Sequence, residues 1–169
     1  MKKILTIIML FGVCCGYAQN TPPHAASTRT WTFGNQTWSD AIQIPGCHKE
    51  TFEKSNTNPQ CRSYTEGANT WYYYNWPYVN HNHSTMCPSP WRVPSHGDLT
   101  YYTSHAAGHF PYAGGWYSGS AEGLPNITYY WSNDMSAGHY AYVLEEAQNT
   151  KVAVKEKYFG LPVRCVLIL

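Results

Sequence analysis

The residues able to do chemistry in this chain are few, and their spacing limits what they can do. Beyond an N-terminal apolar stretch lie four cysteines, Cys47, Cys61, Cys87 and Cys165. An even number of cysteines in an exported domain reads as two disulfides, and four cysteines allow three connectivities. The favoured pairing is Cys47–Cys61, a staple within one loop, with Cys87–Cys165 tying the middle of the chain to its last strand. On the loop-entropy model these bridges contribute about 3 and about 4–5 kcal/mol. Zinc is the competing use of the thiols, but no C-x-x-C pair or matching histidine spacing supports it. With the cysteines committed, no thiolate nucleophile is left, and there is no G-x-S-x-G elbow. Glu145 and Glu146 are adjacent, so on a strand their carboxylates point to opposite faces. Of eight histidines, His81 and His83 come closest to a metal pair. Spacing of i, i+2 serves one ion only on a strand, and this segment reads as a loop with no acidic or cysteine partner. The expectation is a chain without catalytic residues, metal or cofactor.

Binding is the chemistry that remains. The stretch from Asn133 to Lys151 gathers Asn133, Asp134, His139, Tyr140, Tyr142 and Glu145, followed by Gln148 and Asn149. Rings supply stacking area at low entropic cost, and planar polar groups supply directional hydrogen bonds, the combination that recognition surfaces use. The same bias runs through the whole chain: aromatics are 16% of residues, with 15 Tyr and 7 Trp, whereas charged residues are only 12%, about half the usual share. A core uses only some of those rings, so the surplus is expected at the surface. Removing Lys2 and Lys3 with the leader described next leaves 9 basic against 10 acidic residues. Nothing forms the basic patch that nucleic acid or an anionic membrane would require.

The elements that must position these residues begin after a leader. Lys2 and Lys3, the apolar run Ile4–Val13 and the small residues of Gly16-Tyr17-Ala18 together read as a secretory signal peptide over Met1–Ala18, cut before Gln19. The run is too short for a membrane span, and no other stretch approaches that length. A lipoprotein carrying its lipid on Cys14 or Cys15 is the weaker alternative, because Phe11-Gly12-Val13 makes a poor attachment box. Residues 19–30 read as a polar, flexible lead-in, and residues 31–169 as one domain. Trp31–Ile44 predicts one or two short strands, Gly46–Thr70 a loop clipped by the first disulfide, and Trp71–Trp76 a β-prone aromatic run. Ser95 with Asp98 three residues on forms a capping-box variant opening a short helix with Leu99, Tyr102 and Ala106 on one face, ending near Gly108. His109–Asn126, rich in Gly and Pro, reads as a long surface loop. His139–Glu145 and Lys151–Lys155 alternate as strands, and Val163–Leu169, apolar except for Arg164, reads as a buried strand. Short strands, long loops and little helix give an α+β class with small antiparallel sheets.

Several spaced segments carry a family resemblance. Cys87-Pro88-Ser89-Pro90-Trp91-Arg92-Val93-Pro94 before the short helix, then Tyr130-Trp131-Ser132-Asn133, then Gly160-Leu161-Pro162-Val163-Arg164-Cys165-Val166 resemble, in this order, the hallmark segments of the Fibrobacter succinogenes major paralogous domain. Thr32–Ile42 and Tyr74–Val79 are similar to members from bacterial surface and secreted proteins. The chain departs from the pattern at Asn133 and Pro162, where Ser is usual. The resemblance covers nearly all of the chain after the leader. It implies a C-type-lectin-like fold, with a two-part sheet, one or two helices and a long irregular loop region, and it implies Cys87–Cys165 as the framework bridge. It does not imply an activity, since members of this family mostly lack an assigned one.

Trp131-Ser132-Asn133-Asp134 also resembles the calcium segment of true C-type lectins, whose Asn and Asp oxygens are hard ligands. The companion acid of such sites is missing from Leu124-Pro125-Asn126, so a turn at Asn133-Asp134 with Trp131 in the core is the favoured alternative. In lectin-like folds the region of Asn133–Lys151 is the ligand-binding face. Two functions follow as expectations. One is a secreted or cell-surface module binding an extracellular glycan or protein. The other is an assembly component of the bacterial envelope whose tyrosines serve a subunit interface.

Overall fold

The computed structural model describes residues 22–47, 53–105, 110–124 and 126–169. The leader, Ala106 and the end of the helix near Gly108 lie outside the described residues. The fold is α+β: β1 (Thr30–Phe33), β2 (Gln36–Ala41), β3 (Cys61–Glu66), β4 (Asn69–Tyr74), α1 (Trp76–Met86), α2 (His96–His105), β5 (Gly115–Tyr117), β6 (Ser120–Glu122), β7 (Thr128–Met135), β8 (Tyr140–Glu146), β9 (Lys151–Glu156) and β10 (Arg164–Ile168). All strand pairings between these elements are antiparallel, in sheets ordered β1-β2-β10, β3-β4, β5-β6 and β7-β8-β9.

The β7-β8-β9 sheet separates two apolar cores, which explains why β7 and β8 carry buried residues on both faces. Trp131, Ala141 and Val143 face the larger core, with Trp76, Val79 and Met86 of α1, Leu161 and the Cys87–Cys165 bridge. Tyr130 and Leu144 point the other way, onto Trp38, Leu99, Tyr102, Phe110 and Val166. Period-two alternation therefore sends neighbouring apolar side chains of one strand into different cores. Two indoles tie β7 to β4 and α1: Trp131 Nε1 donates to the carbonyl of Tyr74 at the end of β4 at 2.7 Å, and Trp76 Nε1 of α1 to that of Ser132 at 3.2 Å.

Both favoured disulfides form, Cys47–Cys61 across 14 residues and Cys87–Cys165 across 78. The capping box at the start of α2 also forms. Ser95 Oγ accepts from the Asp98 amide at 3.2 Å, and Asp98 Oδ2 accepts from the Ser95 amide at 2.7 Å. Leu99 and Tyr102 are buried as the helical spacing requires.

Elsewhere the fold departs from the sequence expectations. The segment His81-Asn82-His83, read as a loop, lies within α1. The mid-helix is polar from Asn80 to Thr85, so no apolar stripe marks it. The helix is instead fixed at its ends: Asn75 Oδ1 accepts from the Tyr78 amide at 3.1 Å, Pro77 sits in the first turn, and the last turn packs Met86 into the core. On a helix, residues two apart point in nearly opposite directions, so His81 and His83 do not form a pair. Part of the loop expected over Gly46–Thr70 is the hairpin β3–β4, turned by Gly67 at φ +61°.

The long surface loop expected over His109–Asn126 contains the hairpin β5–β6, and it buries Phe110 and Trp116. Its Gly and Pro content is real, but two aromatic anchors pull it inward. Asn133 and Asp134 belong to β7 rather than to a turn, at an irregularity between Trp131 and Met135. Residues 24–26 of the stretch read as a lead-in run beside β2, with the Ala26 amide donating to the Ala41 carbonyl and the Gln43 amide to that of His24. No helix among the described residues is long and apolar enough to cross a membrane.

Candidate functional site

The region picked out by residue type divides on folding. Tyr140 and Tyr142 share one face of β8, with Tyr140 43% exposed. Tyr142 stacks on the imidazole of His96, ring centroids 4.0 Å apart. Asp134 joins this cluster indirectly, since its Oδ2 accepts the His96 amide at 2.7 Å. Asn133 is anchored by its amide to the Pro94 carbonyl at 2.8 Å, while its Oδ1 is buried with no hydrogen-bond partner among the described residues. Glu145 stands on the opposite face and pairs with Lys151 at 3.2 Å. His139 lies exposed ahead of β8 and lends its carbonyl to the Lys157 amide. The structure thus brings Asp134, His96 and Tyr142 together and leaves Glu145 and His139 apart from them. Among the described residues, no three His, Cys, Asp or Glu side chains lie together as metal ligands would.

A cleft of about 350 Å³ opens elsewhere, at the meeting of β2, the β3–β4 hairpin and residues 111–113. Asn69, Thr70 and Trp71 of the hairpin line it together with Asp40, Gln43, Tyr112, Tyr130 and Arg164. This volume falls within the range of small-ligand sites. The hairpin places Trp71 because strand alternation puts it on the same face as Tyr73, whose hydroxyl donates to the Ala113 carbonyl at 2.8 Å. Tyr64, the cross-strand partner of Trp71, stacks beside it with centroids 6.1 Å apart. Tyr112 is 41% exposed.

Arg164 is the structural pivot beneath the cleft. It is the only charged residue of β10 and is 1% exposed. Its guanidinium lies over Trp31, Phe110 and Tyr130 at 4.6, 4.3 and 4.8 Å from the ring centroids. It donates to the Ser39 carbonyl at 2.7 Å and to the Tyr130 hydroxyl at 3.3 Å, with Asp40 Oδ1 3.4 Å away. Burial pushes the Tyr130 phenol upward despite the opposing pull of the Arg164 charge, so it stays a neutral hydroxyl and donates onward to the Pro111 carbonyl at 2.8 Å. Asp40 is held in turn by Ser27 Oγ at 2.7 Å and its neighbour's amide, that of Ala41, at 2.8 Å. The cleft therefore has a neutralised, rigid base.

Sequence reasoning missed this site because its members lie far apart in the chain and carry no motif. Trp71 and Tyr112 were legible only as part of the aromatic surplus, and Asp40, Gln43 and Asn69 carried no signal. Compared with protein-family models, with curated proteins and with solved structures, the chain matches none of them.

Proposed function

We propose that this chain is an exported recognition domain of the Fibrobacter succinogenes major paralogous type, lectin-like in fold, and that it binds a neutral glycan in the cleft beside Trp71 and Tyr112. The carrying observation is that this cleft, about 350 Å³, joins two aromatic rings to the planar polar side chains of Asp40, Gln43 and Asn69. Pyranose rings present apolar C–H faces that stack on aromatic rings, and their hydroxyls need acceptors and donors fixed at the edge of the ring. Two disulfides suit an oxidising compartment and support the export that the leader suggests.

The test is a glycan array probed with the oxidised full chain, followed by titration of the retained sugar. Trp71→Ala and Tyr112→Ala should each weaken binding by roughly tenfold or more while far-UV circular dichroism stays unchanged. Failure to retain any glycan, or affinity indifferent to both substitutions, would overturn the proposal.

One observation favours a second reading, assembly through an interface. Tyr140 and Val154 are exposed on neighbouring strands of one sheet face, beside the half-buried Tyr142. An apolar strip of this kind suits contact with another chain. Sedimentation of the full chain distinguishes the readings: a concentration-dependent dimer abolished by Tyr140→Ser with Val154→Ser supports assembly, and a monomer refutes it.

A further inference from the structure

A second pocket, separate in lining from the cleft, carries a different chemistry. Its volume is about 110 Å³, and Tyr117, Tyr129 and Phe159 wall it over Leu161, with Lys155 and Glu122 contributing the charges. One bound water needs roughly 10–15 Å³ on the same measure, so the pocket has room for on the order of eight non-hydrogen atoms.

The fold builds this pocket deliberately. The β5–β6 hairpin is pinned to residue 160 by a reciprocal pair of hydrogen bonds, Trp116 amide to Gly160 carbonyl at 2.6 Å and the reverse at 2.9 Å. Tyr117 and Phe159 stack with centroids 4.4 Å apart, joining the hairpin to the segment after β9. Gly115 leaves the interior open: a Cβ there would stand 2.8 Å from Leu161 Cδ2.

The two charges are held apart. Lys155 Nζ lies over the Tyr129 ring at 4.1 Å and near Phe159 at 5.5 Å. Neither Lys155 nor Glu122 has an ion-pair partner within 4.0 Å among the described residues, including each other. Two further charges stand beside the pocket. Glu156 is engaged by the Tyr158 hydroxyl, and Lys54 lies over Tyr117 and Tyr158 at 5.5 and 5.9 Å.

A purely anionic ligand here would meet Glu122, and a purely cationic one would meet Lys155. A small molecule bearing both charges on a compact apolar body satisfies both and fills the aromatic space between them. We infer that this pocket binds a free α-amino acid with a small aliphatic side chain, its carboxylate at Lys155 and its ammonium at Glu122. The site is independent of the glycan cleft, because the two share no lining residue.

The test titrates the full oxidised chain by calorimetry and ligand-observed NMR with alanine, valine and leucine. Parallel titrations use N-acetyl-leucine, leucinamide and a neutral methyl pyranoside. At least one free amino acid should saturate below about 10 mM, and both masked leucines should bind roughly tenfold more weakly or worse. Lys155→Gln should erase the preference for leucine over leucinamide, and Glu122→Gln the preference over N-acetyl-leucine. Both substitutions should leave the thermal midpoint and glycan binding unchanged. No saturation by any of the three amino acids overturns the inference. Equal binding of the masked forms, or pyranoside binding lost on Lys155→Gln, overturns it too.

Discussion

Removing the two disulfides one at a time should reveal that they are unequal by a calculable amount. The perturbations are the double substitutions Cys47→Ala with Cys61→Ala, and Cys87→Ala with Cys165→Ala. The bridges close loops across sequence separations of 14 and 78 residues. The entropy such loops remove from the unfolded chain corresponds to about 3.0 kcal/mol for the shorter and about 4.5 kcal/mol for the longer at 25 °C. Burial reinforces the order. Both Cys87 and Cys165 lie in the larger core, whereas Cys61 is only partly buried at its edge. The expected gap is therefore about 1.5 kcal/mol or more, or roughly 3–6 °C in thermal midpoint for a domain of this size. Urea unfolding followed by tryptophan fluorescence measures both variants against the parent, with the slopes compared to confirm an unchanged two-state transition. If the shorter bridge proves equal or more costly to lose, loop closure is not what these disulfides contribute, and the reasoning fails.

Three further outcomes follow from the packing. Burial pushes the Asp98 carboxyl upward, but hydrogen bonds from Arg92 and Ser95 overcome this and hold it below the usual carboxylate range. Its contribution is thus fully present above about pH 4 and is lost as pH falls through the depressed value. Asp98→Asn should cost about 1–2 kcal/mol at pH 7 and flatten that acid limb, as read from unfolding free energies between about pH 2 and 5. Arg164→Lys keeps the charge but loses the fork that reaches both Ser39 and Tyr130. About 3 kcal/mol should be lost in denaturant titration, with little loss refuting the role given to the fork. Gly114 and Gly67 have nearly the same φ, +59° and +61°, but a Cβ on Gly114 would stand 2.5 Å from the Glu122 carbonyl oxygen, whereas one on Gly67 meets nothing within 4 Å. Gly67→Ala should cost about 1 kcal/mol from backbone strain alone, and Gly114→Ala about 2–4 kcal/mol. Equal thermal shifts would show that the carbonyl yields freely.

Local signals were readable where the chemistry is local. The capping box at Ser95 and Asp98 satisfies helix-end amides from within four residues, so it announces α2 without any tertiary help. Alternation in His139–Glu145 identified a strand, and the four cysteines supplied the favoured pairing that forms. The aromatic surplus correctly pointed to rings beyond those a core needs, yet many of them went inward. Trp116, Tyr73, Tyr102 and Phe110 are buried, because the Tyr73 hydroxyl found the Ala113 carbonyl, the Tyr102 hydroxyl the Glu146 carboxylate, and the rings one another in place of water.

The misread elements share a cause. α1 has polar residues through its middle and apolar ones only near its ends, so its stability comes from Asn75, Pro77 and docking against β7 rather than from a stripe. The hairpin β5–β6 is three residues a side, too short to impose a period, and exists because residue 160 and the Phe159 ring hold it.

What the sequence determines by itself is the α+β class and the Ser95–Asp98 cap, since both depend on residue type and short separation; among the three cysteine connectivities it favoured the one that forms. What tertiary structure alone decides is where the sites are. Asp40, Asn69, Tyr112 and Arg164 share one cleft only because β2, the β3–β4 hairpin, residues 111–113 and β10 converge on it. Tyr142 and Glu145 are close in sequence but part company because they lie on opposite faces of one strand. Proximity across a fold is a property of the packed cores, and no pattern along the chain records it.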